Sequence, residues 1–188
     1  MPRPVPASLY SLRIELQYIE PLIWRRVLIP VNIALPELHK VFQAVLGWSD
    51  SHQHCFAIGN QRYGVPDDEF PEQKIVGENG KLLNATLAGS IVEFCYEYDF
   101  GDSWEHLVVV ESTVQAKPDF PHTLCIAGER ACPPEDVGGP PGYEDFLGVI
   151  RNPQHDLHDR LTLWAGGFFD PEGFDLNAVN TRLNAVRV

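Results

Sequence analysis

The stretch "EYDFGDSWEH", residues 97–106, gathers Glu97, Asp99, Trp104 and His106 within ten positions. Carboxylates beside an imidazole can hold a divalent metal or move a proton. "SHQHCF" supplies His52 and His54, two apart and therefore on one face of a strand. If these stretches meet, His52, His54, Asp99 and His106 form a three-histidine, carboxylate-assisted ligand set suited to zinc or another divalent metal. Glu97 or Glu135 would then serve as general base on a metal-bound water. "ERACPPEDVGG" adds Cys132, Glu135 and Asp136 on a proline-framed loop. Trp104, Cys132 and Asp136 are the residues expected to line a binding cleft, with Cys132 open to a role as ligand or nucleophile. Each feature has an ordinary alternative: a solvated sheet face, a hydrogen-bonded histidine pair at the edge of the core, a buried thiol.

These residues need a frame. Leu12, Ile14 and Leu16 alternate with Arg13, Glu15 and Gln17, the pattern of a half-buried strand that also takes in Tyr10 and Tyr18. "LIWRRVLI" reads as its hairpin partner, with Arg25 and Arg26 on opposite faces. A helix follows, with Pro36 in its first turn, Gly47 just past its end, and Leu35, Leu38, Val41, Phe42, Val45 and Leu46 on one side. "HCFAI" and "QRYG" flank a Gly59–Asn60 turn. Residues 65–80 are acidic and broken by Pro and Gly, which predicts a long surface loop.

Residues 91–111 predict a second hairpin. With Gly101–Asp102 as a two-residue turn, Asp99 pairs with Trp104 and Glu97 with His106. Val92, Phe94, Tyr96, Tyr98, Leu107 and Val109 then share the core face, while Glu97, Asp99, Trp104 and His106 share the polar face. An odd-length turn would reverse that sorting for one strand. From Cys125 to Phe146 four prolines and four glycines argue against regular structure. Helices are expected near 143–150, 155–165 and 176–187. The second would bury Leu157, Leu161 and Trp164 and leave His155 and His158 solvated; the third would be capped by Asp175.

Composition narrows the function. The net charge is −12, and it is uneven. Residues 1–64 hold six Lys/Arg against four Asp/Glu, whereas residues 65–188 hold eight against twenty-two. Such an acidic body repels phosphate backbones, so nucleic acid is disfavoured as a partner. No apolar run is long enough for a membrane span, and the first residues lack the apolar segment of a signal peptide. A cytoplasmic setting is expected, with Cys55, Cys95, Cys125 and Cys132 reduced. "GDSW" lies in a hairpin turn rather than a strand–turn–helix, so it does not make an esterase elbow.

In order along the chain, "IEPLIWRRVLIP", "LHKVFQAVLGWSDSHQHCFAIG", "YEYDFGDSWEH", "CIAGERACPPEDVGGPPGYEDF" and "FFDPEGFDLNAVN" resemble the plasmid pRiA4b ORF-3-like family. The resemblance spans nearly the whole chain and implies a single α+β domain over 1–188. It supplies no catalytic residues. The expected fold is α+β, a mixed, largely antiparallel sheet packed by helices, with long Pro/Gly-rich loops. The expected function is an acidic module with a polar cleft that binds a small molecule or a protein; the alternative is a metal-dependent hydrolase built on the histidines.

Overall fold

The computed structural model describes residues 8–67, 74–89, 92–116 and 123–186. Positions 68–73 of the expected 65–80 loop, and the last residue of the helix expected to end at 187, lie outside them.

The opening alternation gives β1 (Ser8–Leu16) and "WRRVLIP" gives β2 (Trp24–Pro30), paired antiparallel from Leu9↔Pro30 to Glu15↔Trp24. A register shift between Ser11 and Leu12, in the pairing with the strand Trp104–Gln115, leaves Glu111 of that strand unpaired. Leu9, Leu12, Ile14 and Leu16 are buried, while Tyr10 is only half-buried and Tyr18 lies exposed beyond the strand. Tyr10 packs against the edge of the core, and Tyr18 falls in the turn after the strand, where no alternation holds it inward.

Helix α1 (Leu35–Leu46) has the expected apolar face and closes at Gly47, whose N–H donates to the Gln43 carbonyl. It lies on the sheet, with Phe42 meeting Phe56 and Tyr96 at ring distances of 6.0 and 5.0 Å. Strands β3 (His54–Ile58) and β4 (Gln61–Gly64) form the expected hairpin. Two elements arise where a loop is expected or no element is legible. They are β5 (Ile75–Gly77), parallel to β4, and the one-turn helix α2 (Leu83–Thr86).

The second hairpin is β6 (Glu93–Tyr98) and β7 (Trp104–Gln115), and β7 crosses to pair with β1. Strand β8 (Leu124–Glu129) pairs with β2, although its sequence belongs to the segment expected to be irregular. Its Gly128 is not a turn residue. A Cβ there would lie 2.7 Å from the Phe174 ring and 2.9 Å from Arg25 Cδ, so the missing side chain makes room for both groups.

The sheet order is β5-β4-β3-β6-β7-β1-β2-β8, with β4–β5 as the parallel pair among antiparallel ones. One face packs under α1 and α5 (Leu176–Ala185), whose N-cap Asp175 accepts from the Asn177 and Ala178 N–H groups. Arg25 is buried on that face and donates to the carbonyls of Val45, Trp24, Glu129 and Arg130 at 2.8–3.0 Å. Arg26 points the other way and grips Glu111 with two hydrogen bonds. Helices α3 (Gly139–Ile150) and α4 (His158–Trp164) pack on each other at one end of the sheet. No residue of α4 is buried, against the expected stripe: Leu157 and Trp164 are exposed and Leu161 is half-buried. The helix leans on α3 through an edge contact of Trp164 with Phe146 at 5.9 Å, which leaves a cleft between them. Among the described residues, no helix is long and apolar enough to cross a membrane.

Candidate functional site

The β6–β7 connection decides which side chains can meet. Tyr98 pairs with Trp104, Glu97 with Glu105 and Tyr96 with His106. The turn is therefore five residues, Asp99 to Ser103, not two. Asp99 and Ser103 both adopt positive φ, 57° and 55°, and the Ser103 N–H donates to the Asp99 carbonyl at 2.6 Å. Asp99 Oδ1 accepts from the N–H groups of Gly101 and Asp102 at 3.0 and 3.3 Å, the side-chain-to-backbone pattern that makes Asp a turn former. The odd count turns β7 over. Trp104, His106 and Val108 join Phe94, Tyr96 and Tyr98 in the core, while Glu97, Glu105 and Leu107 take the other face.

His106 therefore lies in the core and outside the group that His52 and Asp99 join. It is fully buried, its Nδ1 donates to the Tyr96 carbonyl at 3.1 Å, and Trp48 meets it edge-on at 5.4 Å. Burial pushes its pKa down to about 4, because an imidazolium there would lose its hydration. Trp104 is also a core residue, tilted against Trp48 at 6.1 Å, and does not line a cleft. Glu97 lies on the opposite face, ion-paired with Arg62 at 2.9 Å, and cannot serve a site on the core side as base.

His52 and His54 also part company. Strand β3 begins only at His54, so the two-residue spacing does not hold both rings on one strand face. His54 is buried with Nε2 3.0 Å from Glu78, and its ring stacks on His39 with centroids 3.5 Å apart. His39 in turn contacts Tyr96 Oη at 2.8 Å and Asp50 at 2.7 Å. Burial, then the neighbouring His54, lowers the His39 pKa. This second polar cluster has one trace in the sequence. His39 and Gln43 stand four apart on the otherwise apolar face of α1, and both reach the Tyr96 hydroxyl.

His52 instead faces Asp99 and Asp136, with Nε2 at 3.6 Å from Asp99 Oδ2 and 3.0 Å from Asp136 Oδ1. The three ligand atoms all lie within 4.8 Å of one another. They come from three distant segments, and the 133–138 loop brings the last of them into place. Trp48 Nε1 donates to the Pro133 carbonyl at 2.9 Å, and the Gly138 N–H donates to Asp102 Oδ2 at 3.0 Å. Glu135 accepts from the Tyr98 hydroxyl at 2.6 Å and from the N–H and Oγ of Ser49. With its lone pairs so engaged, Glu135 acts as a tether rather than a free base. Burial, then the hydrogen bond to Glu135, holds the Tyr98 phenol far above its ordinary pKa. Cys132 packs at the edge of the core and accepts from Arg25 at 3.2 Å, and burial pushes its thiol up, which opposes a nucleophilic role.

Of the candidates, the structure brings together His52, Asp99 and Asp136, with Glu135 as the tether beside them. It separates His54, His106, Trp104, Glu97 and Cys132 from that group. Beside Asp136, α3, α4 and the loop enclose a cleft of about 600 Å³. Sequence reasoning missed this cleft because it took the apolar side chains of α4 for core.

Comparison with known proteins agrees with this architecture. A protein of unknown function from Methanosarcina mazei, MM3350, has a crystal structure that superposes with a TM-score of 0.83 at 36% identity, covering 91% of this chain and 97% of that one. The uncharacterized protein y4hQ of Sinorhizobium fredii is 39% identical over 161 residues, 85% of this chain and 82% of the relative. Residues 8–178 match the family described as plasmid pRiA4b ORF-3-like protein. By that match and by these relatives, the chain belongs to the plasmid pRiA4b ORF-3-like family.

Proposed function

We propose that this protein is a binding domain that takes a small amphipathic molecule into the cleft between α3 and α4. The observation that carries this is the cleft itself. Its volume of about 600 Å³ falls in the range of small-molecule sites. Phe146, Val149, Leu161 and Trp164 give it an apolar wall, and Asp136 and Arg160 give it a polar rim. Such a pairing suits a ligand with an apolar body and a polar end. The acidic surface opposes nucleic acid as the partner. The four free cysteines fit a reducing, cytoplasmic setting.

A thermal-shift screen of amphipathic small molecules tests the proposal. A ligand at about 100 times its Kd adds about 2.7 kcal/mol of stability, enough to raise Tm by several degrees. Stabilisation by a compound that disappears in Leu161→Glu supports binding in the cleft. Stabilisers that act equally on Leu161→Glu, or a screen without any, would count against it.

A further inference from the structure

We propose that His52, Asp99 and Asp136 form a binding site for a divalent transition-metal ion such as zinc. The proposal does not depend on the ligand cleft, although Asp136 belongs to both. Three observations support it, beginning with spacing. Ligand atoms about 2.1 Å from a tetrahedral ion stand about 3.4 Å apart. The His52–Asp99 and His52–Asp136 separations of 3.6 and 3.0 Å bracket that value.

The second is an unused nitrogen. His52 Nε2 is shielded from solvent and makes no hydrogen bond, although Asp136 Oδ1 is only 3.0 Å away. At that distance a bond fails only if the oxygen lies off the in-plane axis of the nitrogen. In the tautomer with its proton on Nδ1, this nitrogen offers its lone pair to an ion.

The third is charge. Asp99 is only 8% exposed. The turn holds its Oδ1 through two N–H groups, which fixes the carboxylate and leaves Oδ2 for the site. Among the described residues, neither Asp99 nor Asp136 has an Arg or Lys ion-pair partner. Two carboxylates sharing one imidazole in an acidic protein attract a cation. An imidazole with two carboxylates suits zinc and its neighbours better than calcium, and three protein ligands leave an open position for water or a ligand's polar end.

The test is calorimetric titration of ZnCl2 into the full chain, freed of any tag and treated with a chelator. Wild type is expected to take up about one equivalent, and His52→Ala and Asp136→Asn to bind roughly tenfold or more weakly. Both side chains are partly or largely exposed, and circular dichroism checks that the variants fold. His155→Ala, on the exposed segment before α4, is expected to bind as wild type does. Three results would overturn the proposal: no saturable binding near one equivalent, undiminished binding in either site variant, or loss in His155→Ala.

Discussion

His106 makes acid stability a direct test of the β6–β7 register. Its pKa is about 4 in the folded chain, against about 6.5 for a solvated histidine in the unfolded one. The unfolded state therefore binds the extra proton first, and stability falls as pH drops from 6.5 toward 4. From pH 7.5 to 4.5, this one group removes about 2.5 kcal/mol at the usual 1.36 kcal/mol per unit. His39, whose pKa is also lowered, adds to the fall with the same sign. Glu111 and Glu172, held below their ordinary values by Arg26 and Arg130, lose their contributions below that window. His106→Leu isolates the effect. It gives up the hydrogen bond to the Tyr96 carbonyl, about 1 kcal/mol at pH 7.5. Between pH 7.5 and 4.5, however, it should lose about 2.5 kcal/mol less than wild type does. Urea unfolding followed by tryptophan fluorescence measures both, since Trp48 and Trp104 sit in the same core. Parallel stability curves for wild type and His106→Leu would refute the burial of a neutral imidazole and the register that puts it there.

Other outcomes follow from the same geometry. Arg25→Met strips donors from four backbone carbonyls and should cost roughly 3 kcal/mol or more in urea unfolding. Gly139→Ala would place a Cβ 2.5 Å from the Asp102 carbonyl oxygen at a φ of +69°. It should cost roughly 2 kcal/mol or more and weaken zinc uptake, because the loop carrying Asp136 is seated there. Burial pushes Cys95 up to about 11 and raises Cys55, Cys125 and Cys132. Ellman's reagent at pH 8 should then react slowly with the folded chain and promptly with all four thiols in guanidinium.

What was legible in the sequence was local. The faces of α1, the β3–β4 turn and the Asp175 cap follow from residues within a few positions of each other, and all are present. Strand β5 was illegible because three residues carry too little pattern and its partner is parallel. Strand β8 was hidden because Gly128 marks a close approach by Phe174 and Arg25, which only the tertiary structure reveals. The site was half legible. His52 and Asp99 were expected in one ligand set, while Asp136 was singled out apart from them, on the proline-framed loop. Their assembly depends on the turn that fixes the Asp99 carboxylate and on a loop tied down by Trp48, Glu135 and Asp102. Glu78 had no sequence signal at all.

The five-residue turn also bears on how such a chain can change over generations. An altered residue between Asp99 and Ser103 perturbs a few hydrogen bonds. Losing or gaining one residue there would instead invert the twelve-residue β7, sending Trp104, His106 and Val108 outward and Glu105 and Leu107 into the core. Paired changes of two residues keep the sorting and single ones do not. The count of residues in this segment is therefore under tighter restraint than their identity, and viable insertions should arise in steps of two or in other loops.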